Sequence, residues 1–194
     1  MPFIFNKDKS SYSGNESYKH IDELLKKSSY LKIISPYISL FYAKKLAYYS
    51  KYKKISIITV KPQTKNELIA FKYLTKLNNL MIFIKLLIYS IILEGISLAF
   101  KFYFAALILF VFFSISFLIF YLIYGSITSS KISLKISKKF VHEKIYIGNN
   151  AAIIGSANLT YNGTHRNIEY IEIIKDKEKI RSLENHFDSL WSQI

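Results

Sequence analysis

From residue 10 to residue 77 the apolar positions recur with two alternating periods. Ser10–Glu16 is polar and reads as a loop. Tyr18–Ser28 (YKHIDELLKKS) puts Ile21, Leu24 and Leu25 on one face of a predicted helix. Leu31–Ile38 reads as a buried strand stopped near Pro36, Leu40–Ser50 as a second helix, Ile55–Val60 as a second strand ending at Pro62, and Lys65–Leu77 as a third helix. Strand and helix alternate, which predicts an α/β layer arrangement. The pattern resumes late in the chain. Lys131–Ser137 reads as a short strand or connector, Phe140–Ile147 and Ala151–Ile154 as two strands of a hairpin, and Thr160–Arg166 as a loop. Asn167–Ile174 is an alternating strand. Asp176–Ile194 is a closing helix whose Ile180, Leu183, Phe187, Leu190, Trp191 and Ile194 form a core stripe.

Between these halves the periodicity is lost. Phe102–Tyr124 is 23 residues without a formal charge, dense in Phe, Leu and Ile. At ~1.5 Å per residue a helix of that length crosses a ~30 Å hydrocarbon layer. Residues 80–100 form a weaker candidate, interrupted by Lys85 and Glu94. A hairpin cannot bury a core alone, so the strands on both sides of this segment are expected in one sheet. One sheet cannot form across a bilayer, so the number of crossings is even. The expectation is a two-helix transmembrane hairpin inserted at 80–126, with spans near 80–100 and 102–124. It divides one domain into an N-terminal part, 1–79, and a C-terminal part, 127–194. A re-entrant hairpin meets the same condition.

Charge sharpens this picture. The chain has 27 Lys and Arg against 13 Asp and Glu, a net charge of +14. Residues 1–79 hold 15 basic and 5 acidic side chains, and residues 127–194 hold 10 and 7. Basic flanks predict a multi-pass membrane protein with both halves of the split domain cytoplasmic. A basic surface also suits nucleic acid. The start, MPFIFNKDKS, lacks the layout of a secretory signal. Cysteine is absent, which fits a reducing compartment. The histidines, His20, His142, His165 and His186, have no metal-ligand spacing, so no metal and no cofactor are expected. Asn158 and Asn162 head glycosylation sequons, read as incidental in a cytosolic domain.

The chemistry concentrates in residues 140–160, FVHEKIYIGNNAAIIGSANLT. Period 2 puts His142, Lys144 and Tyr146 on one strand face, and Ser156 with Asn158 on another shared face. A three-residue turn on Asn149 pairs Ile147 with Ala151 and sets His142 opposite Ser156. A two-residue turn shifts the register by one and turns Ser156 away. On the first reading an imidazole, an ammonium, a hydroxyl and an amide converge on one anion-binding patch.

His142-x-Lys144 followed by Gly155-Ser156-x-Asn158 resembles the signature of the phospholipase D superfamily: H-x-K, four residues, D, six residues, G-S-x-N. Glu169 stands thirteen residues after Ser156, where single-motif nucleases of the superfamily carry a carboxylate that pairs with the catalytic histidine. Two departures fall in the turn: Asn149 holds the Asp position, and five residues rather than six separate it from Gly155. The resemblance implies a phospholipase D-like mixed β-sheet flanked by helices. It implies metal-free phosphodiester hydrolysis through a phosphohistidine, with catalytic residues His142, Lys144, Asn158 and Glu169. Lys144, Ser156 and Asn158 would bind the substrate phosphate. One H-x-K per chain implies a homodimer in which a second His142 protonates the leaving oxygen. The expected substrate is phospholipid, which a membrane anchor holds close. The alternatives are an anchored, metal-independent endonuclease on single- or double-stranded nucleic acid, and a catalytically inactive membrane scaffold.

Overall fold

A computed structural model describes residues 9–76 and 131–194, and between them residues 88, 89, 91, 92, 95, 96, 108 and 110–115. The chain divides into two compact units, Met1–Thr75 with Lys131–Ile194, and Lys76–Ser130.

The first unit is a seven-stranded mixed sheet. Its strands are β1 (Lys9–Gly14), β2 (Tyr30–Ile34), β3 (Lys54–Val60), β4 (Ile132–Ser137), β5 (Ile145–Ile147), β6 (Ala152–Gly155) and β7 (Glu169–Ile174). Across the sheet their order is β1-β7-β6-β5-β2-β3-β4. β2, β3 and β4 run parallel, and the other four are joined by antiparallel pairing. The helices are α1 (Ser17–Lys27), α2 (Leu40–Ser50), α3 (Lys65–Lys76), α4 (Tyr161–His165) and α5 (Lys177–Gln193). One face of the sheet carries α1, α2 and α3. The other buries Ile34, Ile58, Ile145, Ile147, Ala152 and Ile174 against Ile180 and Phe187 of α5. The core stripe read in α5 is the one that packs, since Asp176 caps Lys179 N at 2.7 Å and sets the helix phase.

Three expectations need correction. First, the stretch read as a polar loop at 10–16 largely forms β1, an edge strand on β7. KSSYSG has no apolar alternation because both its faces are wet, so pairing rather than burial makes it a strand. Second, Tyr161–His165 within the expected loop is helical, with the Thr160 hydroxyl accepting from Gly163 N at 3.0 Å. Third, neither turn length proposed for the hairpin is right. Gly148–Ala151 is a four-residue turn closed by Gly148 N to Ala151 O at 2.9 Å, and Ile147 pairs with Ala152. Ala152 is fully buried, and Gly148 is lodged so tightly against Ser28 that a Cβ would lie 1.9 Å from its Oγ. These two contacts fix the register. β5 also begins only at Ile145, so His142 precedes the strand and does not face Ser156 across a ladder.

The hairpin expected at 80–126 falls mostly outside the described residues. Among those described, no helix is long and apolar enough to cross a membrane. The described positions there are helical, and Ile88, Ile91, Ile92, Ile108, Phe110 and Phe112 are each about half exposed or more.

Candidate active site

The mixed topology decides where the chemistry collects. β2, β3 and β4 end at the same edge of the sheet where β5 and β7 begin and β6 ends. The segments before β5, after β6 and at the start of β7 therefore meet there, and they hold His142, Lys144, Ser156, Asn158 and Glu169. Carboxyl ends of parallel strands are a common place for ligand sites in open α/β sheets.

Lys144 is the most enclosed of the five, with 5% of its surface exposed. Its ammonium donates to His142 O at 2.5 Å. Burial lowers its pKa below the ordinary lysine value, and the nearby Glu169 carboxylate opposes that shift. A poorly solvated cation is a strong attractor for an anion that displaces little water on arrival.

Glu169 stands at the start of β7 on the face it shares with Ile171. Ser156 donates its hydroxyl hydrogen to Glu169 Oε2, and the Ser156 oxygen accepts from Tyr170 N at 3.0 Å. The other Glu169 oxygen accepts from Asn167 Nδ2 at 3.1 Å. This fork ties the loop after β6 to β7. Gly155 lets the strands close up: a Cβ there would sit 2.2 Å from Tyr170 O and 2.8 Å from Ile171 Cα.

The Gly-Ser-x-Asn loop is supported from beneath. The Tyr146 hydroxyl donates to Ala157 O at 2.6 Å, and burial raises its pKa well above the ordinary range. The Ser35 hydroxyl accepts from Leu159 N at 3.0 Å and donates to Tyr37 O at 2.9 Å. Asn158 is half-buried, and its Oδ1 is buried with no hydrogen-bond partner among the described residues.

His142 lies at the mouth. Its ring is exposed, 5.9 Å from the Phe140 ring, and makes no hydrogen bond among the described residues. The structure thus brings Lys144, Ser156 and Glu169 together, sets Asn158 on the same loop and leaves the His142 ring exposed beside Phe140. It does not join Glu169 to His142 within one chain: no hydrogen bond links the two among the described residues, and the Glu169 oxygens accept from Ser156 and Asn167 instead. Ser156 is likewise occupied, which suits a brace for Glu169 better than a donor to phosphate.

Sequence reasoning missed Ser35 and Asn167, and it placed Tyr146 on the Lys144 face without giving it a role. A tyrosine alternating with Lys144 on the inward face of β5 was the available signal for Tyr146, and Ser-Pro directly after β2 was the signal for Ser35. Asn149 turns out to lie at the opposite edge of the sheet. Its Oδ1 accepts from Ser29 N at 2.9 Å, pinning the β5–β6 turn to the α1–β2 connection. An amide oxygen performs that task as a carboxylate would, so this departure from the superfamily pattern does not touch the site.

A family model described as the PLD-like domain of cardiolipin synthase matches residues 120–191, which contain all five candidates. Residues 120–191 thus resemble a phospholipase D-like domain. The chain's fold is also that of solved structures. The phospholipase D family member Nuc from Salmonella typhimurium superposes with a TM-score of 0.60 at 14% identity, covering 96% of each chain. NucT from Helicobacter pylori gives 0.55 at 13% identity, covering 95% of each chain. Phosphatidylserine synthase from Haemophilus influenzae Rd KW20 gives 0.52 at 12% identity, covering 95% of this chain and 38% of that one. At these identities the likeness is one of fold. No curated protein matches the sequence.

Proposed function

We propose that the chain is a membrane-anchored phosphodiesterase that works without metal, through a phosphohistidine on His142. The observation that carries this is the buried Lys144 ammonium, held beside Glu169 at the edge where the Gly-Ser-x-Asn loop and His142 converge. A phosphodiester repels nucleophiles with its own charge, and Lys144 neutralises that charge. A neutral His142 imidazole attacks phosphorus, and the bond to the leaving oxygen breaks. A protonated His142 from a second copy delivers the proton to that oxygen. Water then attacks the phosphorus–nitrogen bond, gives up a proton to the second histidine and frees the first. The dimer is part of the reading because one chain offers a single His142. Exposed Phe140, Ile168 and Tyr170 flank the site and supply apolar surface for such a contact.

Phospholipid is the first substrate reading. The apolar segment at 102–124 and the exposed apolar side chains of its described residues support an anchor, two crossings and a cytoplasmic site. The match to a cardiolipin synthase domain and the fold shared with a phosphatidylserine synthase point the same way. The net charge of +14 favours a second reading, an anchored nuclease.

Detergent-purified protein is incubated with labelled phospholipids and with single-stranded DNA and RNA, all in chelator. Turnover of a diester that persists in chelator and is lost in His142→Ala is the expected result. Turnover that needs an added divalent ion overturns the mechanism. No turnover of any diester leaves a membrane scaffold.

A further inference from the structure

The edge of the sheet opposite the candidate site has its own character. There α2 ends and β3 begins, and the exposed side chains include Tyr48 and Tyr52, at 58% and 70% of full exposure. The two rings lie 5.9 Å apart. Lys53 holds this corner in place, with its buried ammonium donating to Leu25 O at 2.8 Å and to Lys26 O at 3.0 Å. Around the rings stand the exposed Lys51, Lys54 and Lys131. Lys131 N donates to Ser50 O at 3.1 Å, and Lys131 O accepts from Ile55 N at 2.9 Å.

That last contact ties the corner to the rest of the chain. Because β3 and β4 are parallel, the chain must return from the site edge before β4 can start, and it re-enters the sheet at Lys131, beside Tyr48 and Tyr52. Only residues 125–130 separate Lys131 from the apolar stretch ending at Tyr124. Six residues span at most about 22 Å. Half-wet tyrosines next to lysines are the composition of the boundary between water and an anionic bilayer. There a phenol ring sits at headgroup depth and each nearby cation adds attraction to the anionic surface.

We propose that this corner, Tyr48, Tyr52, Lys51, Lys54 and Lys131, is a docking surface for an anionic lipid bilayer, so that the candidate active site faces away from the membrane that holds the protein. This rests on the anchored reading above and adds an orientation to it. β4 alone is six residues long, so the site edge stands about 20 Å beyond the docked corner. The phosphodiester is then presented from the aqueous side or by an apposed membrane.

The full chain has no cysteine, so single labels are clean. Tyr52→Cys and, at the site edge just after β3, the exposed Gln63→Cys each receive an environment-sensitive fluorophore in proteoliposomes rich in phosphatidylglycerol that contain headgroup spin-labelled lipid. Quenching several-fold stronger at position 52 than at position 63 is expected. It falls several-fold in neutral phosphatidylcholine, in high salt, or when Tyr48→Ser, Lys54→Gln and Lys131→Gln are added. Equal quenching at both positions, stronger quenching at 63, or no quenching at either overturns the proposal. Turnover of a soluble diester is read in the same vesicles. If turnover is missing while the quenching pattern holds, catalysis falls and docking stands. If turnover is present with the pattern reversed, docking falls and catalysis stands.

Discussion

Ser156 gives its hydroxyl hydrogen to Glu169 across the β6–β7 pair, and Tyr170 N returns a hydrogen bond to the same oxygen at 3.0 Å. The serine expected to bind the substrate phosphate is therefore a strut for a carboxylate. That carboxylate partly offsets the effect of burial on Lys144.

The consequence is a pH effect with a definite sign. Burial lowers the Lys144 pKa, and Glu169 counters it by favouring the ammonium. Activity on a soluble diester should decline with rising pH below the ordinary lysine range, as Lys144 loses its proton. Glu169→Gln removes the countering charge, so its alkaline limb should move to lower pH. An alkaline limb that does not move would show that Glu169 and Lys144 are not coupled during turnover.

Catalysis should belong to the dimer. General acid catalysis of leaving-group departure is typically worth ~10²–10⁴ in rate. A heterodimer of wild type with His142→Ala, isolated through two tags, should fall close to the level of the doubly substituted dimer. Half of the wild-type rate would mean that each chain holds a complete site, with His165 the next histidine to test.

Gly155→Ala should cost about 1–3 kcal/mol of stability, the range for overpacking. The added carbon meets backbone of β7 rather than a flexible side chain. It should also reduce turnover more than an equally destabilising change in α5, because it separates Ser156 from Glu169. Thermal melting and kcat on the same preparations make that comparison.

Asn149→Ala should lose a hydrogen bond worth about 1 kcal/mol, seen as a lower melting temperature with kcat unchanged. Asn149→Asp keeps an acceptor for Ser29 N and should melt close to wild type. A large loss of kcat in either variant would place the turn in the chemistry after all.

The fold was legible where burial wrote it into the sequence. The helices at 18–28, 40–50 and 65–77 lie within a residue of α1, α2 and α3, because each has an apolar face that the sheet buries. β1 was not legible, since an edge strand with polar faces leaves no periodic trace. The hairpin register was not legible either, because it is settled by Gly148 against Ser28 and by burial of Ala152, both tertiary contacts. The five spaced polar residues could be found by motif alone. Which of them hold one another, and which stay free, depended on β7 lying beside β6.

The sheet order sets a hazard during synthesis. β2 and β3 are neighbours and emerge early, but their outer partners, β5 and β4, lie beyond residue 131. While the ribosome translates 76–130, a two-stranded parallel ribbon waits with both edges unpaired. At ~5–20 residues per second that interval is on the order of several seconds, long enough for open edges to find wrong partners. Yield in a cell should therefore respond to chaperone supply and to the speed of translation through the apolar segment.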